Sequence, residues 1–186
     1  MRQYFRGAVL KINHKLAKQP VLFALRPSEF SNIANLMEHS YIGNHYVNAY
    51  MEMISDVDGM YFGYPFVWIG DYADNVENKD YYDLANVVTN KYRGYSDKLR
   101  GVKEYKYLVN LSKKEYVIMP KYNPAIWQVH PLPLLTASGN GRGGGDYCGA
   151  DEKNVGRWAF DKIGATNDDS YIARMKEIKL GFDSEF

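Results

Sequence analysis

The chain has 186 residues, 46% of them hydrophobic and 24% charged, with a formal net charge of +1. These are ordinary globular values for a chain long enough to bury a core, and they exclude wholesale disorder. No run reaches the roughly 18 apolar residues of a membrane span, and Lys11 and His14 interrupt the N-terminal apolar stretch, so a cytoplasmic protein is expected, with the lone Cys148 excluding an internal disulfide or a cysteine-built zinc centre.

RQYFRGAVLKI and PVLFALRP flank the polar NHKLAKQ, and both suit a pleated surface, which predicts a β-hairpin. Ser28 follows Pro27 as a candidate N-cap for a helix carrying Phe30, Ile33, Ala34, Met37 and Tyr41, with Gly43-Asn44 as its stop. Val47, Tyr50, Met51 and Ile54 continue the period in a second short helix, closed by Asp58-Gly59. GMYFGYPFVWIG reads as a buried strand running into the acidic loop Asp71-Tyr72-Ala73-Asp74, and Pro65 suggests an edge or a bulge. A helix is expected over Tyr81 to Thr89. EYKYLVNLSKKEYVIM then predicts a second hairpin about Leu111-Ser112-Lys113-Lys114.

Ile126 to Leu135 reads as another strand, placed at an edge by Pro131 and Pro133. Asp151 can cap a helix carrying Val155, Trp158, Ala159 and Lys162, and Tyr171 to Leu180 reads as a last helix or strand. Strands come in hairpins rather than alternating with helices. The expectation is therefore an α+β fold: a mainly antiparallel sheet built from hairpins, with three to five helices packed on it. One domain over 1–186 is expected, with 1–58 and 59–186 as sub-lobes.

The small net charge hides segregation along the chain. Residues 1–26 carry six basic side chains and no acid, 52–86 carry eight acids against Lys79 alone, and 91–121 carry nine basic groups against three acids. In KYRGYSDKLRGVKEYKY, Lys91, Arg93, Arg100 and Lys103 alternate with Tyr92, Tyr95 and Tyr105, a pattern in which cations meet phosphates and rings stack on unpaired bases. The same residues equally suit half-buried strand tyrosines beside a solvated basic face.

LTASGNGRGGGDYCG, Leu135 to Gly149, holds six glycines. Gly139, Gly141 and Gly144 match G-x-G-x-x-G in form, but the parallel βαβ context of a dinucleotide fold is missing. Two readings stay open: a nest of backbone N–H groups that takes an anion with Arg142, or consecutive turns whose glycines serve geometry alone. Cys148 with His130 and Asp146 has the composition of a nucleophile, base and orienter, though the cysteine is not at a helix N-terminus. Glu104-Tyr105-Lys106 is half of a common nuclease signature, and Asp71, Asp74 and Glu77 lack the spacing of a calcium loop. No metal site and no cofactor is read.

WQVHPLPLLTASGNGRGGGDYCGADEKNVGRWAFDKI, with VWIGDYAD and YLVNLSKKEYV upstream, resembles a group of uncharacterised small proteins of Firmicutes prophages and mobile elements, from about residue 60 onward. The GNGRGGGDY block recurs in that group, which implies a specific role for Asn140, Arg142, Asp146 and Tyr147, and the resemblance carries over no catalytic residue. By analogy with accessory proteins of such elements, the expected function is inhibition of a host defence machine. Its most concrete form is an anti-CRISPR protein whose partner is a type II effector with its guide RNA; the alternatives are a metal-dependent RNA-cleaving enzyme and a stand-alone RNA-binding module.

Overall fold

The computed structural model describes residues 3–31, 39–99, 103–139, 147, 149 and 151–181. Among them are the strands β1 (Phe5–Leu10), β2 (Val21–Phe23), β3 (Tyr64–Gly70), β4 (Tyr107–Asn110), β5 (Glu115–Ile118), β6 (Ala137–Ser138), β7 (Lys162–Thr166) and β8 (Lys176–Glu177). Three α-helices accompany them: α1 (His45–Met53), α2 (Tyr81–Thr89) and α3 (Pro131–Thr136). The strands join in the order β2-β1-β3-β7-β4-β5-β8, with β6 beside β3, and only β3·β6 and β5·β8 are parallel. The fold is α+β, with the mainly antiparallel sheet expected of a chain built from hairpins.

Both predicted hairpins form, and the second turns at Leu111–Lys114, with Lys114 at a φ of 54°. The predicted helix over Tyr81–Thr89 is α2, and Asp80 caps it by accepting from the Asp83 N–H at 3.0 Å. The sheet is buried on both faces where β1 and β3 lie. On one face Phe5, Val9, Phe66 and Trp68 pack with Tyr46 and Tyr50 of α1 and Leu132 and Leu135 of α3. On the other, Ala8, Leu10, Val67 and Ile69 pack with Tyr81, Ala85 and Val88 of α2. This double burial is why VWI reads as an unbroken apolar run.

Several elements differ from expectation, each for a local reason. Pro65 does not mark an edge: β3 is central, flanked by β1 on one side and by β6 and β7 on the other. Pro65 stands one residue beyond the last β1 pair, Val9 with Phe66, and next to a bulge in which Phe66 bonds both Phe160 and Asp161. Ser28 lies inside a short 3-10 helix, Pro27–Phe30, rather than capping an α-helix, and Ser31 ends that turn at a φ of 53°. Ile33, Ala34 and Met37 of the expected helix lie outside the described residues.

Asn44 is a start and not a stop, because its Oδ1 accepts from the N–H groups of Tyr46 and Val47 at 2.9 and 3.1 Å and so caps α1. The stretch expected as an edge strand contains α3 instead. His130 Nδ1 accepts from the Leu132 N–H at 3.0 Å, and Pro131 fits the first helical position, where its missing donor has no partner to lose. Asp151 does not open an α-helix: only the 3-10 turn Glu152–Asn154 follows, and its carboxylate accepts from Asn154 Nδ2 and the Gly181 N–H. Tyr171 to Leu180 contributes no more regular structure than β8.

The β1·β2 ladder ends early, and two tyrosines complete it. Val9 pairs with Phe23, and the same register would pair Gly7 with Leu25. Instead the hydroxyls of Tyr46 and Tyr50 lie between them. Tyr50 Oη donates to the Gly7 carbonyl at 2.7 Å and accepts from the Leu25 N–H at 2.8 Å. Tyr46 Oη donates to the Leu25 carbonyl at 3.1 Å and meets the Gly7 N–H at 3.4 Å. Position 7 must be glycine because a β-carbon there would stand 2.6 Å from the Tyr50 ring and 2.8 Å from Trp68. Burial holds both phenols protonated, pushing Tyr46 up to about 12 and Tyr50 well above its usual value.

Tyr50→Phe leaves the Gly7 carbonyl and the Leu25 N–H without partners in a dry interior, so it should lower the unfolding free energy by about 2 to 4 kcal/mol in urea denaturation. Because these phenols titrate higher in the fold than in the unfolded chain, their contribution is complete below about pH 10 and is lost as pH rises through about 12. Alkaline unfolding followed by circular dichroism should accordingly steepen above pH 10, and less so in Tyr50→Phe.

Candidate binding face

The β4–β5 hairpin is held at its turn end by Asn110, whose Oδ1 accepts from the Lys113 N–H at 2.8 Å, and by the bond from the Leu111 N–H to the Lys162 carbonyl at 2.8 Å. At its open end the Met119 N–H reaches the Lys106 carbonyl at 2.8 Å, and the Lys106 N–H reaches Asn167 Oδ1, also at 2.8 Å. Pro120 then ends the ladder, since it has no donor. The chain returns through KYNPAIW and is tied to residues 40–42 by bonds from Ile42 N–H to the Gln128 carbonyl and from His130 N–H to the Ser40 carbonyl.

A groove of about 420 Å3 opens along this end, lined by Glu104, Lys106, Tyr107, Ile118, Lys121 and Asn167. It shares Tyr105, Met119 and Pro120 with a narrower cleft that reaches Tyr122, Gly43 and Lys103. Tyr122 is 47% exposed and Ile118 52%, although each has a large apolar surface. Gly43, at a φ of 97°, lets the Tyr122 ring approach the backbone closely, where a β-carbon would come within 2.3 Å of it. Ile126 and Trp127, on the same returning segment, are exposed as well.

Beneath the cleft lies a paired charge network. Lys103 Nζ donates to Asp58 Oδ1 at 2.9 Å and stands 3.5 Å from Glu52 Oε1, while Tyr105 Oη donates to Asp58 Oδ2 at 2.8 Å. The Lys103 ammonium, then the Tyr105 hydroxyl, hold Asp58 below the usual carboxylate range, and Asp58 in turn raises Lys103. Burial first, and Asp58 beside it, push the Tyr105 phenol up. Lys103 and Asp58 stay charged and Tyr105 protonated across neutral pH, and the bonds among them fix the shape of the cleft.

The residues singled out in the sequence fall into different places. Tyr92 and Tyr95 are half-buried: their rings meet edge to face at 5.1 Å, both pack on Phe23, and Tyr92 Oη donates to the Leu22 carbonyl at 3.1 Å. Tyr105 is buried in the network above. None of the three therefore presents a free ring for a base to stack on, and none is a strand tyrosine either: Tyr92 and Tyr95 stand in the 3-10 turns Asn90–Tyr92 and Tyr95–Asp97, and Tyr105 precedes β4. Lys91 and Arg93 are exposed, and Arg93 Nη2 and Arg26 Nη2 converge on Asn90 Oδ1 at 3.1 and 2.8 Å. The first and third charge segments thus meet at Asn90, whereas Lys103 is neutralised by the acidic segment.

Tyr147 is buried, and its hydroxyl accepts from the Asp151 N–H at 3.3 Å. Arg100, Asn140, Arg142 and Asp146 lie outside the described residues, as does Cys148. His130, the candidate base, is buried at 2% exposure with Nδ1 occupied as the α3 cap, and burial pushes it down to about 3. Among the described residues no three His, Cys, Asp or Glu side chains are grouped to hold a metal ion. Asp71 instead accepts from the Tyr4 N–H at 3.0 Å. Sequence reasoning missed Ile118, Lys121, Tyr122 and Asn167; the available signal was KYN after Pro120, an aromatic and a cation on a segment that two prolines keep out of the sheet.

No family model, curated protein or solved structure matches the chain.

His130 should remain neutral at pH 4, visible as unmoved imidazole signals in a 1H–15N titration. Its pKa is lower in the fold than in the unfolded chain, so the stability linked to it is complete above about pH 6.5 and is lost as pH falls toward about 3. His130→Gln should abolish this proton uptake on unfolding, measured as a flatter dependence of urea stability on pH across that window.

Proposed function

We propose that the protein is a non-catalytic interaction protein that inhibits a host nucleic-acid-handling machine by occupying its surface, with the groove beside the β4–β5 hairpin as the docking face. The observation that carries this reading is the juxtaposition of exposed Ile118 and the cations Lys106 and Lys121 around a groove whose walls are backbone-stitched, with exposed Tyr122 on the cleft that adjoins it. An exposed ring with few rotatable bonds supplies anchoring area at low entropic cost, and neighbouring cations steer toward an acidic or RNA-bearing partner. The paired state of Lys103, Asp58 and Tyr105 supports binding over proton-transfer chemistry. The concrete partner is a type II CRISPR effector with its guide RNA, a choice that rests on the mobile-element resemblance.

The test is target-DNA cleavage by such an effector with guide RNA, with the RNA followed on denaturing gels. Stoichiometric inhibition with intact RNA is expected, weakened about tenfold or more in Lys106→Glu/Lys121→Glu, whose altered side chains are both exposed. RNA shortened by the protein alone, and rescued by a chelator, would establish the enzyme reading in its place. Unimpeded cleavage at saturating protein would remove the CRISPR partner.

A further inference from the structure

A second concavity, of about 360 Å3, lies at the β8 edge of the sheet and has a different chemistry. Its described lining is Lys153, Asn154, Arg157, Lys176, Glu177, Ile178 and Lys179, so four cations face one carboxylate and a single apolar side chain. The cations come from two segments that β8 brings together. Parallel pairing sets Lys176 beside Glu115, and the Ile178 N–H bonds the Tyr116 carbonyl at 2.8 Å, carrying Lys179 past the strand. The 3-10 turn Glu152–Asn154 supplies Lys153 from the other side.

Arg157 gives the wall a fixed orientation. Its Nε and Nη2 donate to Glu115 at 3.0 and 2.6 Å, and Trp158 Nε1 holds the same carboxylate at 2.7 Å. Glu115 is buried, and Arg157 keeps it below the usual carboxylate range. The side-on pair leaves the Nη1 group of a planar five-donor fork outside it. Lys153, Lys176 and Lys179 are exposed and have no carboxylate within ion-pair distance among the described residues.

We propose that this concavity binds phosphate groups of an oligophosphate chain, either the backbone of a single-stranded nucleic acid or a free oligophosphate. Three ammonium groups with no carboxylate partner among the described residues, set around one oriented guanidinium, match a chain of closely spaced negative oxygens. Ile178 alone cannot sandwich a base, so recognition falls on phosphate and is indifferent to sequence. The site is separate from the groove and stands whether or not the groove docks on an effector.

Two probes distinguish the sources: a fluorescent single-stranded RNA 12-mer, and inorganic tripolyphosphate followed by calorimetry. The triple variant Lys153→Gln/Lys176→Gln/Lys179→Gln changes only exposed side chains, and circular dichroism and its urea midpoint report that it is folded. For RNA, the slope of log K against log salt should fall by about two on losing three cations, while Lys153→Arg/Lys176→Arg/Lys179→Arg keeps it. Tripolyphosphate bound by the native chain and by Lys106→Glu/Lys121→Glu, but lost in the triple variant, supports the site with a free oligophosphate as ligand. RNA binding lost in the triple variant without any tripolyphosphate binding supports it with the nucleic-acid backbone as ligand. If neither probe binds the native chain, or the triple variant binds both as the native chain does, the proposal is overturned.

Discussion

Two tyrosine hydroxyls stand where a strand pair ought to be, and much of the architecture follows from that substitution. Gly7 and Leu25 are in register to bond each other, yet their four backbone groups are met by Tyr46 and Tyr50 from α1. A buried backbone group must have a partner, so α1 cannot leave this face without orphaning two strands. The hydroxyls also fix the rotation of the helix. Tyr46 and Tyr50 are four residues apart and share one face, which places Val47 and Met51 on the adjoining stripe toward the core. The cleft residues Asn48 and Met51 are thereby set opposite Tyr105 and Met119.

The sheet changes character at β3. On the β1 side it is covered on both faces, by α1 and α3 and by α2. Beyond β7 the strands are short, and the β4–β5–β8 end leaves concavities at both ends of β5. The bulge at Phe66, with Phe160 at a φ of 68°, lies at this junction, as bulges do where a sheet bends away from its cover. The core itself runs on through Leu108, Val117 and Ile163, so the two concavities open at the ends of strands that a closed core holds in place, where binding surfaces belong.

Pairing of neighbours in the sequence was legible and arrangement over distance was not. Hairpins announce themselves through alternation and turn residues, which are local signals. The stretch around Pro131 and Pro133 misleads because proline excludes a central strand as readily as it opens a helix, and the deciding feature is the His130 side chain turning back on Leu132. Asp151 fails as a helix cap because its carboxylate is taken by Gly181, thirty residues on. Tyr92, Tyr95 and Tyr105 look like a stacking array in one dimension, but their partners Phe23 and Asp58 lie far off in the chain. Nothing in a run of alternating lysine and tyrosine says which rings face inward.

Charge shows the same limit most clearly. The longer basic segment, 91–121, is divided in space: Arg93 joins Arg26 at Asn90, Lys103 is cancelled by Glu52 and Asp58, and Lys113 is paired with Asp161. The cations without an ion-pair partner among the described residues at the β8 edge, Lys153, Lys176 and Lys179, come from a region whose acids and bases alternate and so appear balanced along the chain. Pairing consumes the charges that segregate in sequence, because a block of one sign folds against a block of the other. The field that reaches a partner is therefore set by the residue of that cancellation, and it emerges where two short segments with no reason to pair are brought side by side by one parallel strand.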